Sequence, residues 1–537
     1  MRGPGRSRPR SMERRAMLRA RAALDGTGVL REDPGLARFE DGLRERWSNW
    51  QELKSRVERH EGSLLEFARR GYQEYGLHRR PGGVEYVEWV PGVTELCLVG
   101  DFNGWEVGAT PGACDEFGVW RVWVPDNPQP QPHTEPEASA ASSFSDDHAA
   151  EAGKPARTRN GDGGSDTNEA AASVRNNADT NNDANTDVNN KPISHEAGSL
   201  SAGRTTCGAH PASGEAPAIP HGSHLRVAFR AADGEWVTRI PAHARSVQPA
   251  RGGANHHDGV AHFPPPEASY QFKHPRPRRH GGLKIYEAHV GMASQHPRVG
   301  TYREFAREVL PRVKALGYNA VQLMAVAEHA LYSSFGYQVT NFFAVSHRSG
   351  TPEDLKELVD TAHSMGMLVL MDVVHAHASC NTIDGLNGFN GSEGMYFRHG
   401  EAGHHRIWGT RCFDYGSYEV LRFLMSNLLF WIEEYQFDGY RFDGVTAMLY
   451  FHRGIEWDFV GGTSEYFSRH VDAQAVAYLT AANQMLREAL PQCLTVAEDV
   501  SGFAGLCRPV LRGGVGFDFR LGMGPPDEWQ RLALRFQ

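Results

Sequence analysis

The sequence lacks the features that define several large protein classes. Its seven cysteines are odd in number and widely spaced, with no CxxC pair, so neither a disulfide framework nor a zinc site is indicated. Apolar runs such as MLVLMDVV from Met367 fall far short of the roughly 18 residues of a membrane span. Lys and Arg number 56 against 65 Asp and Glu, so no basic surplus points to nucleic acid. We therefore expect a protein that binds neither membranes nor nucleic acids.

The first half of the chain changes character several times. Apolar residues recur every three or four positions from Asp33, as in a helix, and then every second position in VEYVEWV, TELCLVG and VWRVWV, as in strands. The strand pattern resumes in LRVAFRAADGEWVTRI, where Asp233-Gly234 is typical of a hairpin turn. We therefore predict the following parts: a disordered basic N-terminus (1–32), a helical lead-in (33–80), a β-sandwich (81–126 plus 218–247), a low-complexity disordered insertion (127–217) and a linker (248–283).

Residues 284–537 alternate apolar strands with amphipathic helices, which predicts a parallel sheet. The predicted strands are KIYEAHVG, AVQLMAV, MLVLMDVV, DGYRFDGV, LTVAEDV and VGFDFRL. No glycine fingerprint for a dinucleotide accompanies them, so a (β/α)8 barrel is favoured over a doubly wound sheet. Because only six strands are found, we expect an incomplete barrel that lacks strands 7 and 8.

Three of these strands carry charged residues at their carboxyl ends, where barrel enzymes build their active sites. The period of two puts Arg441 and Asp443 on the inner side of their strand, and the guanidinium is expected to lower the pKa of Asp443, as suits a nucleophile. Glu498 ends the next strand, as suits a general acid, and Asp372 and His377 flank the end of an earlier one. Structural ion pairing is the alternative explanation for each strand end taken alone.

Two carboxylates facing each other across a concave site are the requirement for cleaving a glycosidic bond. A divalent metal site is the alternative for such a cluster, but Arg441 would compete with the metal as a cation. We therefore expect no metal and no cofactor.

The motifs DVVHAH, GYRFDGV and VAEDV resemble three signature regions of the α-amylase superfamily. The similarity is closest to the eukaryotic-type starch and glycogen branching enzymes. It extends through GDFNGW, IYEAHVG, FGYQVTNFFAVS and GTPEDLKELVDTAHSMG, and it covers nearly all of the chain outside the first 30 residues and the insertion.

This resemblance implies a role for each matching residue. Asp443 matches the nucleophile, Glu498 the acid/base and Arg441 its ionic neighbour. Asp372 and His377 match residues that bind the sugar being cleaved, and Tyr337 matches the aromatic on which that sugar stacks. The β domain resembles a glycogen-binding module, in which Trp89, Trp105 and Trp120 would contact α-glucan. Core packing is the alternative for these tryptophans.

The family's third catalytic carboxylate and its C-terminal β-sandwich have no match in this sequence, and Asp518 and Asp527 fall in the predicted sixth-strand segment. We accordingly expect a C-terminally truncated chain. The expected function is α-1,4-glucan branching by a retaining double displacement; the alternatives are an α-glucan hydrolase and a non-catalytic glucan-binding fragment. The expected partners are glycogen, amylose and amylopectin, and the expected state is a monomer in the cytoplasm, with the plastid as the alternative.

Overall fold

The computed structural model describes residues 24–126, 218–279, 281–460, 462–522 and 524–535. Residues 1–23 of the predicted basic terminus and the whole predicted insertion at 127–217 lie outside this part of the chain. Residues 24–32 differ from the prediction of disorder, because Thr27–Arg31 and Pro34–Phe39 form short 3-10 helices. Val29 is buried there against Leu36 and Leu43, which supplies the apolar contact that orders the segment.

Two helices follow, α1 (Glu40–Glu61) and α2 (Leu64–Glu74). The predicted apolar stripe is buried, and the Ser63 hydroxyl caps α2 by accepting the backbone N–H of Glu66 at 3.0 Å. The helical lead-in ends earlier than predicted, since Gly76–Arg80 is a strand. That strand pairs with its neighbour through backbone hydrogen bonds. Its residues show little alternation of apolar and polar side chains, so the pattern does not predict a strand there.

The β domain is a sandwich of two antiparallel sheets. Its strands are β1 (Gly76–Arg80), β2 (Gly83–Trp89), β3 (Glu95–Gly100), β4 (Ala113–Cys114), β5 (Val119–Pro125), β6 (His224–Arg230), β7 (Trp236–Arg239), β8 (Val247–Pro249) and β9 (His257–Val260). One sheet has the order β1-β2-β5-β4 and the other β3-β6-β9-β8, with β7 on β6. The predicted linker at 248–283 therefore begins inside the sandwich, because β9 pairs with both β6 and β8.

The two ends of the sequence on either side of 127–217 meet in the sandwich. The backbone N–H of Ala218 donates to the Asp126 carboxylate at 3.1 Å, and Arg79 pairs with the same carboxylate at 2.9 Å. Residues 126 and 218 are therefore in direct contact, so the β domain has no gap there that residues 127–217 would have to bridge.

The domain after the sandwich is a six-stranded parallel sheet with helices packed on it, as the alternating pattern predicts. Its strands are β10 (Ile285–His289), β11 (Ala320–Met324), β14 (Leu368–Val373), β17 (Gly439–Phe442), β18 (Leu494–Glu498) and β19 (Phe519–Leu521), adjacent in that order. Within the described residues, β10 and β19 are the two edges, so the sheet is an incomplete barrel. The last strand is shorter than predicted, because Gly516 adopts a left-handed φ of 100° before it.

The remaining elements lie around this sheet. The helices are α3 (Tyr302–Glu304), α4 (Leu310–Ala315), α5 (Pro352–Ser364), α6 (Tyr418–Tyr435), α7 (Val445–Leu449), α8 (Ala473–Ala489) and α9 (Gly524–Arg535), with a π-helical turn at Phe305–Val309. Two short hairpins complete the set, β12 (Ala327–Glu328) with β13 (Asn341–Val345) and β15 (His404–His405) with β16 (Thr410–Arg411). Asp527 lies in α9 and not in a strand, contrary to the prediction. Across the described part of the chain, none of the helices combines the length and the apolar character needed to traverse a bilayer.

Candidate active site

Three neighbouring strands, β14, β17 and β18, deliver the charged residues to one edge of the sheet. In the parallel register Asp372 lies opposite Arg441, and Arg441 lies opposite Val496, so the carboxyl ends of the three strands coincide. The alternation predicted for β17 holds. Tyr440 points to the helices, where its hydroxyl donates to the Leu428 carbonyl of α6, while Arg441 points to the opposite side.

Arg441 is the centre of the charged cluster. Its Nη1 donates to Asp372 Oδ1 and to Asp443 Oδ1, both at 2.7 Å, and its Nη2 lies 3.0 Å from Glu498 Oε2. The guanidinium is buried, so these contacts take the place of water around it. One cation therefore holds three carboxylates at fixed positions, and two of them come from strands other than its own.

Glu498 differs from the other two carboxylates because its side chain keeps 24% of its surface accessible to solvent. Its Oε2 also accepts the backbone N–H of Gly444 at 2.8 Å. Gly444 has a left-handed φ of 60°, and a Cβ there would approach Ala376 Cβ to 3.2 Å and the Trp408 ring to 3.5 Å. Because residue 444 is a glycine, the backbone directly after Asp443 can adopt this conformation and its N–H can reach the Glu498 carboxylate.

Tyr337 and His377 complete the surroundings of the cluster. The Tyr337 hydroxyl donates to Asp372 Oδ2 at 2.9 Å, and the Arg441 guanidinium lies 5.8 Å from the centre of its ring. His377 Nε2 is 3.8 Å from Asp443 Oδ2. The structure thus gathers all six residues predicted for the barrel site, Tyr337, Asp372, His377, Arg441, Asp443 and Glu498.

The protonation of this cluster differs from the prediction made for Asp443. Burial, together with the charges of Asp372 and Glu498, raises the pKa of Asp443 to about 8, although Arg441 opposes the shift. Burial likewise raises the pKa of Asp372 to about 6, again against Arg441. Burial lowers the pKa of His377 to about 3, assisted by His405 and Arg453. With a neutral imidazole and a single guanidinium for three carboxylates, the cluster retains a proton near neutral pH.

A cavity of about 410 Å³ opens over Asp443, large enough for a sugar-sized ligand. Trp408, Thr410, Gln338 and Ser334 line it beside Tyr337 and His377. Trp408 stacks on His405 with ring centres 3.7 Å apart, and it is 4.9 Å from His377. Sequence reasoning missed Trp408 and His405, because the two strands of their hairpin are two residues each and give no periodic signal.

His375 supports the loop that carries His377. Its ring is fully buried between the Tyr478 hydroxyl at 2.7 Å and the Asn427 side chain at 3.0 Å. The Tyr415 hydroxyl donates to the backbone carbonyl of His375 at 2.7 Å. Burial lowers the pKa of His375 to about 4, so the ring is neutral near pH 7 and holds the loop in place through its hydrogen bonds.

The three tryptophans predicted to contact glucan have different environments. Trp105 is 39% exposed and its indole N–H donates to Asp101 at 3.2 Å. Trp89 is partly buried and meets Tyr396 of the barrel domain edge to face, with ring centres 5.9 Å apart. Trp120 is only 5% exposed and donates to the Val90 carbonyl at 3.1 Å. Core packing, the alternative considered for Trp120, is therefore what the structure shows, and a surface contact by this residue is ruled out in this conformation.

The surrounding carboxylates Asp518 and Asp499 are engaged elsewhere. Asp518 accepts the Thr495 backbone N–H at 3.0 Å and pairs with Arg487 on α8. Asp499 is buried and accepts the Thr446 hydroxyl at 2.8 Å and the backbone N–H groups of Ser501, Gly502 and Phe503. Neither belongs to the Arg441 cluster. Within the described residues, no group of three or more His, Cys, Asp or Glu side chains is placed to hold a metal ion.

Comparison with protein families matches two segments of the chain. Residues 299–386 match the α-amylase catalytic domain, and residues 74–137 match carbohydrate-binding module 48, the isoamylase N-terminal domain. The second match begins within two residues of β1, which agrees with the start of the sandwich in the structure.

Curated relatives match almost the whole chain. A protein of Aspergillus oryzae named 1,4-alpha-glucan-branching enzyme is 43% identical over 509 residues, which cover 95% of this chain and 61% of the relative. The enzyme of the same name from Solanum tuberosum is 42% identical over 518 residues, or 96% of this chain and 50% of the relative. A chloroplastic/amyloplastic form from Oryza sativa subsp. japonica is 43% identical over 93% of this chain and 50% of the relative. The chain thus spans about 50 to 61% of the length of these relatives.

Solved structures with the same fold are more distant in sequence. A mutant pullulanase from Paenibacillus barengoltzii complexed with maltotetraose superposes with a TM-score of 0.50 at 15% identity, covering 81% of this chain and 55% of the pullulanase. This likeness supports the architecture of a β domain followed by a barrel-type domain.

Proposed function

We propose that the chain belongs to the family of 1,4-alpha-glucan-branching enzymes, as its curated relatives do, and that it cleaves an α-1,4-linked glucan and transfers the released chain to a 6-hydroxyl. The observation that carries this proposal is the cluster in which Arg441 holds Asp372, Asp443 and Glu498, with Asp443 lining a sugar-sized cavity. Aligned parallel strands fix these groups before substrate arrives, which is the pre-organisation that catalysis by charge requires.

In the first step Asp443 attacks the anomeric carbon, and a new bond forms between its carboxylate oxygen and the sugar. The glycosidic bond breaks as Glu498 donates its proton to the leaving oxygen. Asp443 and Glu498 bond to the two terminal nitrogens of one guanidinium, so their separation is compatible with the spacing of about 5 Å that a retaining enzyme needs.

In the second step the 6-hydroxyl of an acceptor glucan attacks the same carbon and releases Asp443. Glu498, now a carboxylate, accepts the hydroxyl proton, so the enzyme returns to its starting state. Near neutral pH the cluster holds a proton, and the reaction requires that proton on Glu498 while Asp443 is ionised. Glu498 is suited to exchange the proton because it is the most solvent-accessible member of the cluster.

Tyr337, Asp372 and His377 bind the sugar that is cleaved. The Tyr337 ring, held by its bond to Asp372, offers a stacking face, and the neutral His377 offers a hydrogen bond rather than a charge. In the β domain Trp105, with Trp89 at the domain boundary, provides the glucan-binding surface. The substrates we propose are glycogen, amylose and amylopectin.

The reaction is tested by incubating amylose with the protein. Branching lowers iodine staining and creates α-1,6 linkages that a debranching enzyme removes, with few new reducing ends. Reducing ends that rise in step with the loss of staining would identify a hydrolase, and glucan binding without either change would identify a non-catalytic binding protein. The Asp443→Asn variant is the matched control, since it keeps the volume of the side chain and removes the nucleophile.

We further propose that the protein is monomeric and cytoplasmic, with the plastid as the alternative compartment. Light scattering on the purified chain measures the first, and microscopy of a fluorescent fusion in the source cell measures the second.

A further inference from the structure

A second and larger cavity, of about 900 Å³, lies next to the catalytic cavity. The hairpin of β15 and β16 contributes to both: Trp408 and Thr410 line the catalytic cavity, while His404 and Arg406 line the second one. Glu401 also lines the second cavity, as do Phe451, His452 and Arg453 from the segment after α7. The roles assigned to the catalytic cluster make no use of this space.

The wall formed by residues 450–457 is aromatic. The His452 ring stacks on Tyr450, with centres 5.0 Å apart and planes at 19°, and on Trp457, with centres 4.3 Å apart and planes at 10°. Phe451 is 46% exposed and lines the cavity, and the Arg398 guanidinium lies 5.4 Å from the centre of its ring. The part of the ring that Arg398 leaves exposed offers an apolar surface on which the C–H groups of a sugar pack.

The polar groups of the second cavity suit a neutral ligand with hydroxyl groups. Arg406 is already paired with Glu456 at 2.7 Å, and Arg453 already donates to the Ala402 carbonyl. Burial and His470 lower the pKa of His452, and its Nδ1 accepts the Gly454 N–H at 3.1 Å, so the remaining ring proton is on Nε2. The Arg406, Arg453 and His452 N–H groups and the Glu401 carboxylate therefore offer donors and an acceptor for the hydroxyl groups of a ligand.

We propose that this second cavity is an α-glucan binding site, separate from the catalytic cavity and sharing one hairpin with it. The choice of α-glucan as the ligand rests on the proposed function, because a chain held here lies beside the site where chains are cut and joined. The volume of about 900 Å³ falls within the range of natural ligand sites, roughly 300 to 1,000 Å³. Phe451 is the principal stacking residue, and Glu401 and His404 supply hydrogen bonds from the other segment that lines the cavity.

Hydrogen–deuterium exchange with maltoheptaose tests the site directly. The Asp443→Asn variant prevents turnover, and peptides covering residues 400–406 and 450–458 report on the second cavity. We expect saturable protection of both peptides. Phe451→Ala is expected to weaken this local affinity about 3- to 10-fold, and Phe451→Tyr to retain it because the ring is kept. Trp529→Ala is the matched control, since Trp529 is an exposed tryptophan on α9 outside the cavity.

Protection at peptides containing Tyr337 or Trp105, with none at 400–406 and 450–458, would overturn the proposal. Unchanged local affinity in Phe451→Ala, with the fold verified by circular dichroism, would also overturn it. The outcome is separable from the proposed function. Protection of the second cavity in a protein that does not branch amylose upholds the site and refutes the reaction, while branching without this protection does the reverse.

Discussion

Replacing Asp443 by asparagine is expected to stabilise the protein, and to do so more as the pH rises. The ordinary pKa of an aspartate is 3.8, and in the folded protein burial raises that of Asp443 to about 8. A carboxyl with a raised folded pKa stabilises the native state fully only below its unfolded pKa. This contribution is lost as the pH rises through the folded value, so the relevant window runs from about pH 4 to about pH 8.

The size of the effect follows from the same shift. Each pKa unit corresponds to about 1.4 kcal/mol, so the rise from 3.8 to about 8 amounts to on the order of 6 kcal/mol. Asparagine remains a buried polar group, and it also gives up the ion pair of Asp443 with Arg441. Arg441 stays compensated by Asp372 and Glu498, however, so no lone buried cation results. The free energy of unfolding of Asp443→Asn relative to that of the wild type is expected to be about 2 to 4 kcal/mol higher at pH 8.5 than at pH 5.

The assay is urea unfolding of the wild type and of Asp443→Asn at pH 5 and pH 8.5. Asp527→Asn serves as the control, because Asp527 is exposed on α9 and its loss should leave the midpoint unchanged at both pH values. A midpoint for Asp443→Asn below that of the wild type at pH 8.5 would refute the reasoning. A pH-independent difference would refute it equally, since it would show that Asp443 does not titrate in this window.

Three further outcomes are expected from single changes. Tyr337→Phe keeps the ring and removes the hydrogen bond to Asp372, so steady-state kinetics on amylose should show a fall of up to about 10-fold in kcat/KM, with a larger fall for Tyr337→Ala; equal effects of the two would contradict a stacking role. Trp105→Ala should weaken glucan binding in affinity electrophoresis without lowering Tm, whereas Trp120→Ala should cost about 3 to 5 kcal/mol of stability because Trp120 is in the core. Replacing residues 127–217 by a short Gly-Ser linker should leave Tm unchanged or slightly raised, because Asp126 and Ala218 already touch; a fall of several degrees in a thermal melt would count against this.

The parts of the fold that the sequence predicts are those where pattern and burial agree. The six sheet strands of the barrel domain are apolar runs, of which three end in charged residues, and that combination predicts the Arg441 cluster. The strand β1 and the strand β9 were missed because GLHRR and HDGV carry polar residues in a sandwich held mainly by backbone pairing. Local sequence cannot reveal such pairing, since the partners lie elsewhere in the chain.

Site electrostatics were less predictable than site membership. The pairing of Arg441 with Asp443 was foreseeable from their spacing on one strand. The raised pKa of Asp443 was not, because it depends on burial and on Asp372 and Glu498, which reach the same guanidinium from two other strands. Trp408 was missed for a related reason: its position over Gly444 is set by a hairpin too short to leave a periodic signal.

The most direct test of the proposed mechanism is to trap the glycosyl-enzyme. In a Glu498→Gln variant given a maltosyl donor with a good leaving group, the first step proceeds without an acid and the second lacks its base, so the intermediate should accumulate. Peptide mapping by mass spectrometry is predicted to find the maltosyl adduct on Asp443. An adduct on Asp372 or on any other carboxylate, or glucan transfer that persists in Asp443→Asn, would contradict the account.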